Sequence, residues 1–186
     1  MNNHPVLFLA AIAVFLLVVF AIGGYSFYRA RRSSQGTWED LLKRLTSIDR
    51  SRIEEIALDI IDLSGQPRKD EGSAALESAE IWTLIGGWKG LEALENNCAV
   101  LIDLAFYVQQ WYPEAVATTE QLRLSAREIE WHISRLKIAH QTGKLEDTIP
   151  MYAQRAVATY YLMTRQVVAL YEQGNVAMLA ELQRVI

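Results

Sequence analysis

Hydrophobic positions along the chain fall into two regimes. From Val6 to Ile22 the apolar run is unbroken. It continues through Gly23, Gly24, Tyr25, Phe27 and Tyr28 and stops at Arg29, Arg31 and Arg32. About 20 residues at ~1.5 Å of rise match a hydrocarbon core of about 30 Å, and no Lys, Arg, Asp or Glu precedes Arg29. The pattern predicts an N-terminal tail and transmembrane helix over 1–28, then a basic juxtamembrane linker over 29–36. A cleaved signal peptide fits less well, because Met1 to Pro5 carries no Lys or Arg and Ser26-Phe27-Tyr28 is a poor small-x-small site. Arginines beside a span are kept on the cytoplasmic side, so the N-terminus is expected outside and the rest of the chain inside. Tyr25, Phe27 and Tyr28 then anchor at headgroup depth beside Arg29, Arg31 and Arg32.

Beyond Gly36 the apolar residues recur at helical spacing. Thr37 precedes a helix with Trp38, Leu41, Leu42, Leu45 and Ile48 on one side, which either lies along the membrane or folds onto the remaining domain. Ser51 and Glu54 have capping-box spacing before Ile53, Ile56, Ala57 and Ile60. Residues 64–77, with Gly65, Pro67, Gly72 and the run Arg68-Lys69-Asp70-Glu71, read as an exposed loop. Three long helical patterns follow, from about Ala79 to Trp111, from Pro113 to about Gln141, and from Thr148 and Pro150 to Gln173. A short final helix from Asn175 presents Val176, Leu179, Leu182 and Ile186. Pro113 after a tight connection sets the first two long helices antiparallel. No alternating segment is bounded by hairpin turns. The predicted fold class is all-α: one transmembrane helix, then an antiparallel bundle of three long and several short helices over 37–186.

Two of the long helices carry unusual patterns. The third is apolar almost all round and reads as the central helix. The second carries an inner seam of Leu122, Ala126, Ile129, Ile133 and Leu136 and, on roughly the opposite side, Leu124, Trp131 and Ile138 at intervals of seven. Polar strips separate the two, with Glu128, His132 and Arg135 on one of them. Such a helix needs apolar neighbours on both sides. Either other helices of this chain cover the Trp131 stripe, or a partner protein or second copy does.

Charge narrows the partners. All 18 Lys/Arg and 22 Asp/Glu follow Tyr28, and setting aside the three juxtamembrane arginines leaves 15 against 22, a net charge of −7. An acidic body beneath a basic collar argues against nucleic acid, which needs a concentrated basic face. The single Cys98 excludes an intramolecular disulfide and a cysteine-rich zinc site.

Candidate chemistry is thin. A di-metal bundle needs Glu-x-x-His pairs, and none occurs; Glu128 and His132, four apart, share a helical face but are two ligands only. Gly86, Gly87 and Gly90 lack a preceding strand and a Gly-Lys-Ser/Thr sequence, so they read as a kink or close crossing near Ile85 and not as a phosphate loop. No nucleophile elbow, cysteine–histidine arrangement or zincin motif is present. No catalytic, cofactor-binding or metal residues are assigned.

In layout alone, one span followed by a cytoplasmic bundle, the chain resembles LemA-type membrane proteins in outline; no residue motif of that family is matched here. The expectation is a single-pass protein of a bacterial inner membrane whose cytoplasmic bundle is an interaction or scaffolding module. Its membrane contact is the N-terminal helix, its partner a protein or another copy, and its partner stripe Leu124, Trp131 and Ile138. The alternative is a ligand-sensing bundle in which Trp88, Tyr107 and Tyr160 line a pocket for an apolar small molecule.

Overall fold

The computed structural model describes residues 37–68, 76–174 and 176–186. The predicted span, its anchors Tyr25, Phe27, Tyr28, Arg29, Arg31 and Arg32, the linker over 29–36 and residues 69–75 of the predicted loop lie outside the described residues. Two units divide the chain, Met1–Gly36 and Thr37–Ile186. Seven helices are described in the second: α1 (Trp38–Arg44), α2 (Arg50–Ile60), α3 (Ser78–Ile85), α4 (Gly87–Val108), α5 (Ala115–Gln141), α6 (Leu145–Gly174) and α7 (Val176–Val185). They form an all-helical bundle. Among the described residues no helix is long and apolar enough to cross a membrane.

Helix α6 is the centre, as its all-round apolar pattern requires. It lies against α2, α3, α4, α5 and α7 and buries Ile149, Ala153, Ala156, Val157, Met163, Val167, Leu170 and Tyr171 among others. The Tyr171 hydroxyl, deep in the core, donates to the Leu104 carbonyl on α4 at 3.0 Å, and burial raises its pKa. The helix begins at Leu145, three residues before the expected Thr148. Thr148 is inside its first turn, where its hydroxyl donates to the carbonyls of Lys144 and Leu145 at 3.1 and 2.9 Å. Pro150 falls in the second turn, so its missing N–H leaves only a carbonyl at the exposed helix end without its usual donor.

The first long pattern is two helices and not one. Gly86 ends α3 in the left-handed region at φ +84°, and Gly87 follows at φ +63°, a succession that only glycines accept at low cost. The glycine trio thus makes a complete break where the sequence suggested a kink or a close crossing. Gly90 allows the closest approach: a Cβ there would lie 1.7 Å from the Ile85 carbonyl oxygen. Beyond the break α4 runs antiparallel to α5. Its far end meets the start of α5 through Gln109 and Thr119, 2.6 Å apart, and its near end meets the last turns of α5 through Glu95 and Lys137 at 3.8 Å and through Trp88 and His140.

Helix α1 folds onto this bundle. Thr37 and Asp40 close a capping box, while Trp38 packs on Tyr171 and Tyr107 with ring centroids 5.1 and 6.1 Å apart and donates to Glu181 on α7 at 2.9 Å. Just after α1 the buried Asn97 side chain grips the backbone of Thr46 from both sides, accepting its N–H and donating to its carbonyl, each at 2.8 Å. Leaving one such buried group unpaired costs about 1–3 kcal/mol, so this clamp fixes the path from α1 to α2. The cap of α2 is Asp49, which accepts from the Ser51 N–H at 3.1 Å, two residues before the expected Ser51. Asp49 wins because its carboxylate also takes the Ser51 hydroxyl at 2.7 Å, which removes Ser51 from the capping role.

The described start of the 64–77 loop is a pinned turn. Asp62 accepts from the Ser64 N–H, the Ser64 hydroxyl and the Gln66 N–H at 2.8, 2.6 and 2.9 Å, and Ile61 bridges to Pro67. The Ser64 hydroxyl, then the Gln66 N–H, hold the Asp62 carboxyl below its usual pKa.

The Gly90 contact yields a direct prediction. Gly90→Ala drives a methyl into the Ile85 carbonyl and is expected to destabilise the bundle by about 3 kcal/mol or more, read as a lower urea midpoint at an unchanged slope, whereas Gly143→Ala, with open space around its Cβ, meets only the strain of its φ of +72°, about 1–2 kcal/mol. Equal losses at both sites would contradict the close crossing.

Candidate docking face

Helix α5 is built with two apolar sides, and the described chain covers one. Leu122, Ala126, Ile129, Ile133 and Leu136 are buried against the rest of the bundle, as their spacing predicts. Leu124, Trp131 and Ile138 remain 57%, 49% and 53% exposed. Seven residues advance an ideal helix by nearly two turns, so the three form a row along the outer side. No described helix lies over it. Val116 near the start of α5 and Met151 on α6 are also about half exposed, at 52% and 53%.

Trp131 is held, not loose. Its ring meets Tyr152 of α6 edge-on at 5.7 Å and His132 at 5.0 Å, and the Arg135 guanidinium lies 5.1 Å from its centroid. Such stacking on an exposed ring contributes about 0.5–1 kcal/mol and presents the indole as a fixed surface feature.

His132 departs from the expected polar strip. It is 3% exposed, tucked under Trp131 and within 5.9 Å of the Tyr152 ring. Its Nε2 is 3.6 Å from a Glu128 carboxylate oxygen, and its Nδ1 is buried without a hydrogen-bond partner. Burial lowers its pKa; Glu128 opposes and Arg155 reinforces that shift. No metal-holding cluster of His, Cys, Asp and Glu occurs among the described residues.

The three aromatics of the alternative reading do not converge. Trp88 packs on Trp82 and His140, Tyr107 on Trp38 and Trp111, and Tyr160 receives a hydrogen bond from Asn97 at 3.1 Å. Of the three, Tyr160 lines a hollow of about 300 Å³ between the α1–α2 connection, α6 and the end of α7. Leu45, Ile53, Val168 and Ile186 give it apolar walls, with Arg50, Arg165 and Glu172 on its lining. Burial pushes the Tyr160 hydroxyl up to about 12, so it stays protonated there. Asp103, on α4, lies under Arg44 of α1 at 2.9 Å, a structural ion pair. Cys98 is buried, and that burial, with Glu130 and Glu95 nearby, pushes its thiol up to about 12.

Period-seven spacing flagged the outer stripe in the sequence. The burial of His132 was not visible there, because the ring that covers one side of it belongs to α6. No protein-family model, no curated protein and no solved structure matches this chain.

The imidazole sets a pH dependence. With a folded pKa below the usual value of about 6.5, His132 takes up a proton more readily in the unfolded chain, so its contribution is complete above pH ~6.5 and is lost as pH falls below it, by at most about 1.4 kcal/mol per pH unit. Urea unfolding at pH 7.5 and 5.5 should show this loss in the native chain and a smaller one in His132→Phe. Equal losses in both would place the acid sensitivity elsewhere.

Proposed function

We propose that this chain is a single-pass protein of a bacterial inner membrane, with its N-terminus outside and a cytoplasmic helical bundle that works as a protein-interaction or scaffolding module, docking through Leu124, Trp131 and Ile138. One observation carries the docking part: three large apolar side chains stand half exposed in a row on a helix whose other side is core. Large side chains in an ordered row, rimmed by charge, are typical of association surfaces. The tether rests on the apolar run from Val6 to Ile22 and the arginines that close it. No set of nucleophile, base and acid among the described residues supports an enzymatic reading.

Gentle purification of the full-length chain from its membranes tests this. Leu124→Gln with Trp131→Gln should leave the helical circular-dichroism signal unchanged and remove a stoichiometric companion. Loss of the helical signal would make the stripe part of the core, and retention of the companion would move docking to another face.

The cleft beside Tyr160 favours a second reading, a bundle that binds a small amphipathic molecule. Its volume is at the small end of ligand sites. A ligand that binds only the folded state raises the melting temperature, by about 2.7 kcal/mol of stabilisation at a hundredfold excess over Kd. A thermal-shift screen should then give a hit that Tyr160→Phe with Arg165→Ala weakens; a hit indifferent to both would exclude the cleft.

A further inference from the structure

One buried donor of the central helix has no acceptor among the described residues. The Tyr160 hydroxyl accepts from the Asn97 amide at 3.1 Å, and that amide spends its other bonds on the backbone of Thr46. A phenol hydroxyl donates as well as accepts, and burial keeps the proton on this one. Tyr160 is only 5% exposed, yet it lines the hollow between the α1–α2 connection, α6 and the end of α7. A donor so buried is costly to leave unpaired, so its acceptor is to be sought in the hollow.

Charge and volume narrow what carries that acceptor. The charged side chains of the lining are Arg50, Arg165 and Glu172, two cations against one anion. Neither Arg50 nor Glu172 forms an ion pair among the described residues, and Asp49 beside Arg50 is taken by Arg52 at 3.1 Å. Arg165 gives one N–H to the Leu63 carbonyl at 2.7 Å and has others to give. Glu54, which accepts from the Tyr161 hydroxyl at 3.3 Å, is not part of the lining. A head group with one negative charge suits this set. A phosphate dianion brings more charge than the one arginine in excess balances, and an ammonium has the wrong sign and no lone pair to accept with. Leu45, Ile48, Ile53 and Val168 supply apolar wall. About 300 Å³ holds about ten water-sized groups at ~30 Å³ each, so the tail is short. We propose that the cleft beside Tyr160 binds a monocarboxylate with a short apolar tail, whose head group accepts the Tyr160 hydrogen bond and whose charge is met by Arg50 and Arg165. The inference rests on the small-molecule reading of this cleft given above and names its ligand class.

Octanoate, of about that size, is the probe, with octanol and octylamine as neutral and cationic controls. Each is titrated into the full-length chain in lipid nanodiscs while the thermal loss of the helical circular-dichroism signal is followed, because a ligand of the folded state raises the melting temperature. Entry of a probe into the lipid acts on the native chain and its variants alike, so the difference between them reads the cleft. Octanoate should raise the melting temperature with a half-maximal concentration about tenfold below that of either control. Tyr160→Phe, which removes the donor, should weaken octanoate about tenfold. Arg50→Gln should weaken it about threefold, and Glu172→Gln should tighten it about threefold, as charges at exposed positions do. Arg50 and Glu172 are both exposed, so these two variants decide the matter should Tyr160→Phe fail to fold. No effect of octanoate, or one shared equally by the native chain and any folded variant of the three, would overturn the monocarboxylate site. If octanol or octylamine acts instead and a variant of the lining alters its effect, the cleft still binds a small molecule and only the ligand class is wrong; if no probe tells the native chain from any variant, both readings fall.

Discussion

A helix that is apolar almost all the way round cannot stand at a surface, and the fold follows from enclosing α6. Its faces take α2, α3, α4, α5 and α7 as neighbours, and its buried tyrosines need polar partners within that shell. Tyr171 finds the Leu104 carbonyl and Tyr160 the Asn97 amide. Asn97 in turn fixes the chain between α1 and α2 through Thr46. The polar satisfaction of the central helix thereby determines where the N-terminal end of the bundle lies.

Enclosing α6 uses only the inner seam of α5. The outer row of Leu124, Trp131 and Ile138 adds nothing to that core, yet Trp131 is steadied by Tyr152, His132 and Arg135. An apolar row that the fold orders but does not bury is the observation on which the docking proposal rests.

Much of this was legible where the signal is local. The inner seam of α5 and the all-round apolar pattern of α6 are set by spacing. The glycine trio pointed to Ile85, but a kink and a full break differ in two successive positive φ values, which composition does not reveal. Asp49 rather than Ser51 caps α2, because both satisfy the same local rule and the carboxylate takes two donors. The burial of His132, the dispersal of Trp88, Tyr107 and Tyr160 and the grip of Asn97 on Thr46 all depend on residues far apart in the chain. No periodicity encodes them.

The central proposal is that Trp131, a surface residue of the folded chain, docks a protein partner. Labelling with 5-fluorotryptophan, with the Trp131 resonance assigned by Trp131→Phe, allows its solvent isotope shift to be measured in the full-length chain purified alone and with its companion retained. A full water-induced shift in the chain alone that diminishes with the companion bound is the predicted result. A Trp131 resonance protected from water in the chain alone, or equally exposed with the companion bound, would contradict it.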